Sequence, residues 1–216
     1  MQRRDFSRSL LTAGATAAAA GTGLLPLGAL AQAGGFKEGA GYLRLAKPVA
    51  SDTAGGKVEV LEFFSYGCIH CYNFEAPMAA WMKKLPANVV LRRTPVAFND
   101  GFVPLQKLYY ALEALGQVEA LHEKVFHAIF VAKERLNTPD AIVAWAVRQG
   151  LDKTKFSEAF NSFSVAGKAK RAVQLQDQYV VEGTPALGVG GRFYIPGQGP
   201  RTLLIADALI AELRKG

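Results

Sequence analysis

The sequence predicts an α/β fold in which one mixed central sheet is interrupted by an inserted all-helical block. Three observations carry this expectation. An apolar run, Val58 to Phe64, leads into Cys68-Ile69-His70-Cys71 at the start of a helix-like segment. Apolar residues then recur at helical spacing from Gly101 to about Tyr179. Beyond them, Ala186 to Val189 and Arg192 to Ile195 read as strands around Gly190-Gly191, a tight-hairpin signal. Strands on both sides of a helical stretch make that stretch an insertion in one sheet domain.

The elements follow in order. Arg3, Arg4 and Arg8, the apolar stretch Leu10 to Leu30 and then Ala31-Gln32-Ala33 have the form of a bacterial export signal, so residues 1–33 are set aside from the fold. Arg3-Arg4-Asp5-Phe6 resembles a twin-arginine signal, with a general secretory signal as the alternative. Either route ends in an oxidising compartment. Residues 36–99 form the first part of the sheet domain, 100–170 the helical insertion and 171–216 the second part. Tyr42 to Leu45 alternate as a short strand that Pro48 stops, and Ala54-Gly55-Gly56 is a turn. Val58 to Phe64 suit a central buried strand in which Glu62 is anomalous, because a buried carboxylate is expensive unless paired or used. A helix from near Cys68 to about Leu85 presents Phe74, Met78 and Trp81, with a kink expected at Pro77. A strand from Val89 through Val96 ends near Phe98.

Within the insertion, Leu105, Leu108, Tyr109 and Leu112 make one apolar stripe, and Val118, Leu121, Val125 and Ile129 a second. Thr138-Pro139 opens a third helix that Gly150 ends. Asp152 caps a fourth bearing Phe156, Phe160 and Phe163, Ser164 opens a fifth, and a last helix runs from about Thr202 to Leu213. Net charge is +7. The basic residues are scattered, without an Arg/Lys block or interleaved aromatics, so a nucleic-acid role has little support.

Cys68 and Cys71 are the only cysteines, and their spacing puts them one turn apart on one helix face, where they can open and close a disulfide. A strand, a short loop and Cys-x-x-Cys at a helix start read as a thioredoxin-like redox motif, because unpaired backbone N–H groups and the helix dipole favour a thiolate at the first sulfur. Three blander readings compete. A structural staple would close so small a loop that it stabilises less than a long-range bridge. A zinc site would need more ligands, and His122 and His127 lie about 140° apart around a helix. Two inert buried thiols are the third.

The segment Val60-Leu61-Glu62-Phe63-Phe64-Ser65-Tyr66-Gly67-Cys68-Ile69-His70-Cys71 resembles the active-site segment of the DsbA family of bacterial periplasmic thiol–disulfide oxidoreductases. The helical block, Gly183-Thr184-Pro185, the hairpin and the last helix extend the resemblance over residues 36–216. It implies a thioredoxin-like fold and a dithiol–disulfide oxidase that introduces disulfides into newly exported, unfolded proteins in the periplasm. It also implies reoxidation by the quinone-linked membrane protein DsbB and no bound cofactor. Cys68, nearest the helix N-terminus, is the expected nucleophile, and Cys71 resolves the mixed disulfide. His70 favours the Cys68 thiolate by hydrogen bond or charge. Ile69 stands where the family commonly has proline. Glu62 matches the family's buried acid, a proton relay for Cys71, and Thr184-Pro185 matches the loop that holds a cis proline opposite the cysteines. Thr184, Pro185 and Ile69 are the expected substrate contacts, with Phe64, Tyr66 and Phe193 considered as an apolar patch or as core.

The alternative on the same scaffold is a periplasmic reductase or isomerase. Isomerases of the DsbC and DsbG kind carry an N-terminal dimerisation domain, which the residues before Val58 are expected to be too few to encode, so a monomer is expected. A peptide-holding module with a structural disulfide is the rival from another class.

Overall fold

All seven residues of β2, Val58–Phe64, are buried, as a central strand with both faces covered requires. The computed structural model describes residues 35–53 and 55–215; the expected export signal lies outside them. Five strands form one mixed sheet in the order β1-β5-β4-β2-β3, with β1 at Leu43–Arg44, β3 at Val89–Pro95, β4 at Ala186–Val189 and β5 at Phe193–Pro196. Only β2 and β3 pair in parallel, and they are joined by α1, Ile69–Met82. Among the described residues, every other strand pairing in this sheet is antiparallel. Between β3 and β4 lie a 3₁₀ turn at Asp100–Phe102 and five helices: α2 Val103–Ala114, α3 Val118–Phe130, α4 Pro139–Arg148, α5 Lys153–Phe160 and α6 Phe163–Gln178. The helices thus run to Gln178, in keeping with helical periodicity to about Tyr179. The closing helix, α7, is Arg201–Leu213.

Alternation along β2 explains what each side of the sheet meets. Val58 and Val60 pack with Phe74, Met78 and Trp81 of α1 and with Leu203, Ile205 and Leu209 of α7. Leu61 and Phe63 face Leu175, Tyr179 and Val181 at the end of α6. Trp81 Nε1 donates to Asp207 Oδ1 at 2.7 Å and ties α1 to α7. The helical block has its own core around Trp145, Phe126, Phe156 and Phe160, which Phe64, Tyr66 and Cys71 join.

Three local expectations are corrected. Val189 pairs with Phe193, so the hairpin loop has three residues, and Gly190 and Gly191 both take positive φ (59° and 68°) that the turn needs. The fifth insertion helix opens at Ser162, whose Oγ accepts from Val165 N–H at 3.1 Å, and not at Ser164. That cap aims Val165, Ala169 and Ala172 into the core and leaves Phe163 at the first helical position, 97% exposed, off the α5 stripe. Helix α1 contains Pro77 as expected but ends at Met82, short of Leu85.

The C-terminus of α6 carries a backbone conflict. Val181 N–H bonds Gln176 O and Val180 N–H bonds Asp177 O, a Schellman-type ending whose left-handed position is held by Val180 at φ 53°. A β-branched side chain there costs about 1–2 kcal/mol, and 64% exposure leaves it little burial in return. Val180→Gly is expected to raise unfolding stability by about 1 kcal/mol, read as the urea midpoint at unchanged slope.

Candidate active site

Beyond β2 the chain turns sharply. Ser65 Oγ accepts from Gly67 N–H and Ser65 O accepts from Cys68 N–H at 3.0 Å, which delivers Cys68 to the N-cap of α1. Its extended backbone (φ −100°, ψ 115°) lets Sγ accept the Cys71 N–H at 3.4 Å, the bond a serine or aspartate cap would accept. Cys71, one turn deeper, is 1% exposed. Both are free cysteines. The antiparallel register Phe63↔Ala186 brings the start of β4 alongside this turn, so that Cys68 Sγ–H donates to Thr184 O at 3.4 Å. The Thr184–Pro185 peptide bond is cis.

The two sulfurs occupy opposite electrostatic environments. A hydrogen bond from Cys71 lowers the Cys68 pKa to about 5 against the opposing effect of burial, helped by the Thr184 side chain and the backbone N–H groups of Cys71 and His70. Burial, and the bond it gives to Cys68, drive the Cys71 thiol far above the ordinary range. His70 contributes through its backbone; its imidazole is exposed and lines a groove of about 710 Å³ with Phe74, Pro77, Thr184, Pro185 and Tyr194. Ile69 is 44% exposed on the first turn, outside that lining. Phe64, Tyr66 and Phe193 are all at most 1% exposed, so they are core and not a surface patch around the proline.

Glu62 is 1% exposed, and its strand register puts Arg93 of β3 directly opposite. Arg93 Nε lies 3.0 Å from Glu62 Oε2, and Arg93 Nη2 donates to Glu75 Oε2 of α1 at 3.2 Å. The first contact is close but not an aligned hydrogen bond. Desolvation raises the Glu62 pKa to about 8 in spite of Arg93. Burial works against the Arg93 charge, yet Glu62 and Glu75 together raise its pKa.

Glu75, Arg93 and the Tyr66–His122 pair are site-adjacent groups that sequence reasoning did not assemble. One signal was available. Cys71, Phe74, Met78 and Trp81 form the buried stripe of α1, and Glu75, four residues after Cys71, is a carboxylate on that same face. His122, weighed against zinc, instead bonds the Tyr66 hydroxyl through Nδ1 at 2.8 Å, while His127 is exposed.

Comparison with known proteins bears on these features. The family model of the DSBA-like thioredoxin domain matches residues 59–206. The thiol:disulfide interchange protein DsbA of Bordetella parapertussis is 42% identical over 220 residues, covering 100% of both chains. The crystal structure of Pseudomonas aeruginosa DsbA superposes with a TM-score of 0.79 at 35% identity, covering 83% of this chain and 95% of that one. NmDsbA1 of Neisseria meningitidis does so at 0.74 and 28% identity, covering 84% of this chain and 95% of its own. With its cysteine pair on the N-terminus of α1, its cis proline alongside and a family match across most of its length, the chain belongs to the DSBA-like thioredoxin family.

Proposed function

We propose that this chain is a periplasmic dithiol–disulfide oxidase that passes a Cys68–Cys71 disulfide to reduced, newly exported proteins. The observation that carries the reading is the disparity between the sulfurs: one poised as a thiolate, its partner held protonated. A substrate thiolate attacks Cys68 Sγ, the Cys68–Cys71 bond breaks, and Cys71 leaves and takes up a proton. A second substrate thiolate then attacks the substrate sulfur of the mixed disulfide and expels Cys68 as a stable thiolate. The substrate loses two electrons, which remain on the enzyme as the dithiol. Because a low-pKa thiol leaves readily, the disulfide is strongly oxidising. Glu62, whose pKa burial raises to about 8, is suited to exchange a proton with Cys71. The groove beside Thr184 and Pro185 suits an extended peptide, whose backbone can pair with the strand end there.

The enzyme acts as a monomer, is exported by its N-terminal signal, of twin-arginine or general secretory type, and returns its electrons to a DsbB-like membrane oxidase. Equilibration with glutathione buffers tests the direction of exchange. In a buffer poised near about −200 mV an oxidase stands mainly as the dithiol, whereas a reductase with the poise of thioredoxin stands mainly as the disulfide. A protein that remains disulfide-bonded there is not an oxidase.

A further inference from the structure

Five buried or half-buried side chains form one chain of contacts, in the order Glu62, Arg93, Glu75, His122 and Tyr66. Arg93 accounts for the two carboxylates. The other end of the row has no such account, because His122 of α3 and Tyr66 carry no opposite charges to neutralise, yet both are nearly sealed from water at 4% and 1% exposure. Their placement is specific. Tyr66 lies two residues before Cys68, in the turn whose Ser65 carbonyl holds the Cys68 N–H. Glu75 lies four residues after Cys71, on the same face of α1. His122 meets both: Nδ1 is hydrogen-bonded to the Tyr66 hydroxyl at 2.8 Å, and Nε2 lies 3.2 Å from Glu75 Oε1, a close polar contact that is not an aligned hydrogen bond.

The partners assign the protons. Burial disfavours both a charged imidazole and a tyrosinate. Tyr66 O–H therefore donates to Nδ1, and the single ring N–H, on Nε2, faces the Glu75 carboxylate. The ring is caged by Phe64 and Phe126, each with its centroid 5.3 Å away, and by Tyr109 at 6.2 Å. Packing alone would be met by any aromatic residue in that cage; the two polar contacts would not.

We propose that His122 is a positioning residue for thiol exchange: from the helical block it grips the turn that enters Cys68 with one ring nitrogen and the helix that carries Cys71 with the other. The proposal rests on the exchange through Cys68 and Cys71 set out above. The spacing of the Cys68 sulfur from the N–H groups of His70 and Cys71 depends on that turn and that helix keeping one relative position. A displacement on the order of 1 Å at a reacting group can slow a reaction about a hundredfold.

Tyr66→Phe, His122→Phe and the double variant test it. Tyr66→Phe removes one oxygen, and His122→Phe suits the aromatic cage, so the fold is retained. Three quantities are measured for each: the rate of oxidation of a reduced model protein, the Cys68 titration by thiolate absorbance, and the denaturant midpoint. Each single variant is expected to slow oxidation about tenfold and to move the Cys68 titration, with the double variant no slower than the worse single one, since one bridge is cut in all three. Parental rates and an unmoved titration, whatever the midpoints, overturn the proposal, because a purely structural role moves only the midpoint. Independent, multiplying losses overturn it as well. The exchange reading stands or falls separately, on the parent protein in the glutathione equilibrium.

Discussion

Cys68→Ser is expected to abolish oxidation of a reduced model protein, whereas Cys71→Ser is expected to retain attack and accumulate mixed disulfides through Cys68. The asymmetry follows from the helix start. Cys68 is the N-cap, partly exposed, with backbone N–H groups converging on its sulfur, and its pKa near 5 makes it almost wholly thiolate at neutral pH. Cys71 is buried, points its S–H at that sulfur and has no route to a substrate except through it. Oxygen in place of sulfur at position 68 removes the only sulfur a substrate can reach, so loss by several orders of magnitude is expected. At position 71 it removes only the internal resolving thiol. Gel analysis without reductant separates the two outcomes. Faster alkylation of Cys71 than of Cys68 in the reduced protein at neutral pH would reverse the assignment.

The second large effect is on stability, and it changes sign with pH. Closing the ring between the cysteines stabilises the oxidised protein by about 2 kcal/mol through loop closure. In the reduced protein the opposing contribution is the Cys68 thiolate. A folded pKa of about 5 lies below the unfolded thiol value, so its stabilisation is complete above about pH 8.5 and is lost as pH falls through 5. At pH 7 it is worth roughly 2–3 kcal/mol before solvent screening at a partly exposed sulfur reduces it. The two forms should therefore be nearly equal in stability near pH 7. The oxidised form should be the more stable by about 2 kcal/mol at pH 5 and below, and the reduced form the more stable near pH 8, beyond which ionisation of Cys71 in the unfolded chain erodes that advantage. Denaturant unfolding of both forms across this range reads the crossing directly. An oxidised form that stays more stable at every pH would identify a structural bridge and leave the thiolate without weight in the stability.

The sequence announces its chemistry more fully than the support of that chemistry. Val58–Phe64 and Ala186–Val189 are legible to the residue, because these apolar runs between turn signals are too short for a helix of ordinary length and fit buried strands. The caps at Thr138 and Asp152 are legible for an equally local reason: their side chains accept from N–H groups three residues on. Between Ser162 and Ser164 the local signal is degenerate, and the buried stripe of Val165, Ala169 and Ala172 decides it. Glu62 is conspicuous as a charge in an apolar run, but its partner is not, since Arg92 and Arg93 are adjacent and only the register and the sheet face assign Arg92 to Glu59 and Arg93 to Glu62. His122 is least legible of all. Nothing near it in sequence tells that its ring meets a loop and a helix from the other side of the insertion.

That insertion also governs how the chain can fold. The pairings Leu61↔Gly188 and Leu43↔Tyr194 span the entire helical block. Loop-closure entropy grows only logarithmically with length, with each doubling costing about 0.6 kcal/mol, so the length of the block by itself costs the sheet little at equilibrium. Rates respond differently. Helix pairs and the β2-α1-β3 unit make contacts of short range, but β4 must find β2 across the whole block, and such high-contact-order pairings form slowly. The topology therefore implies that Thr184 and Pro185 reach Cys68 only at the last, slowest stage of folding, after the cysteine pair already exists on its helix.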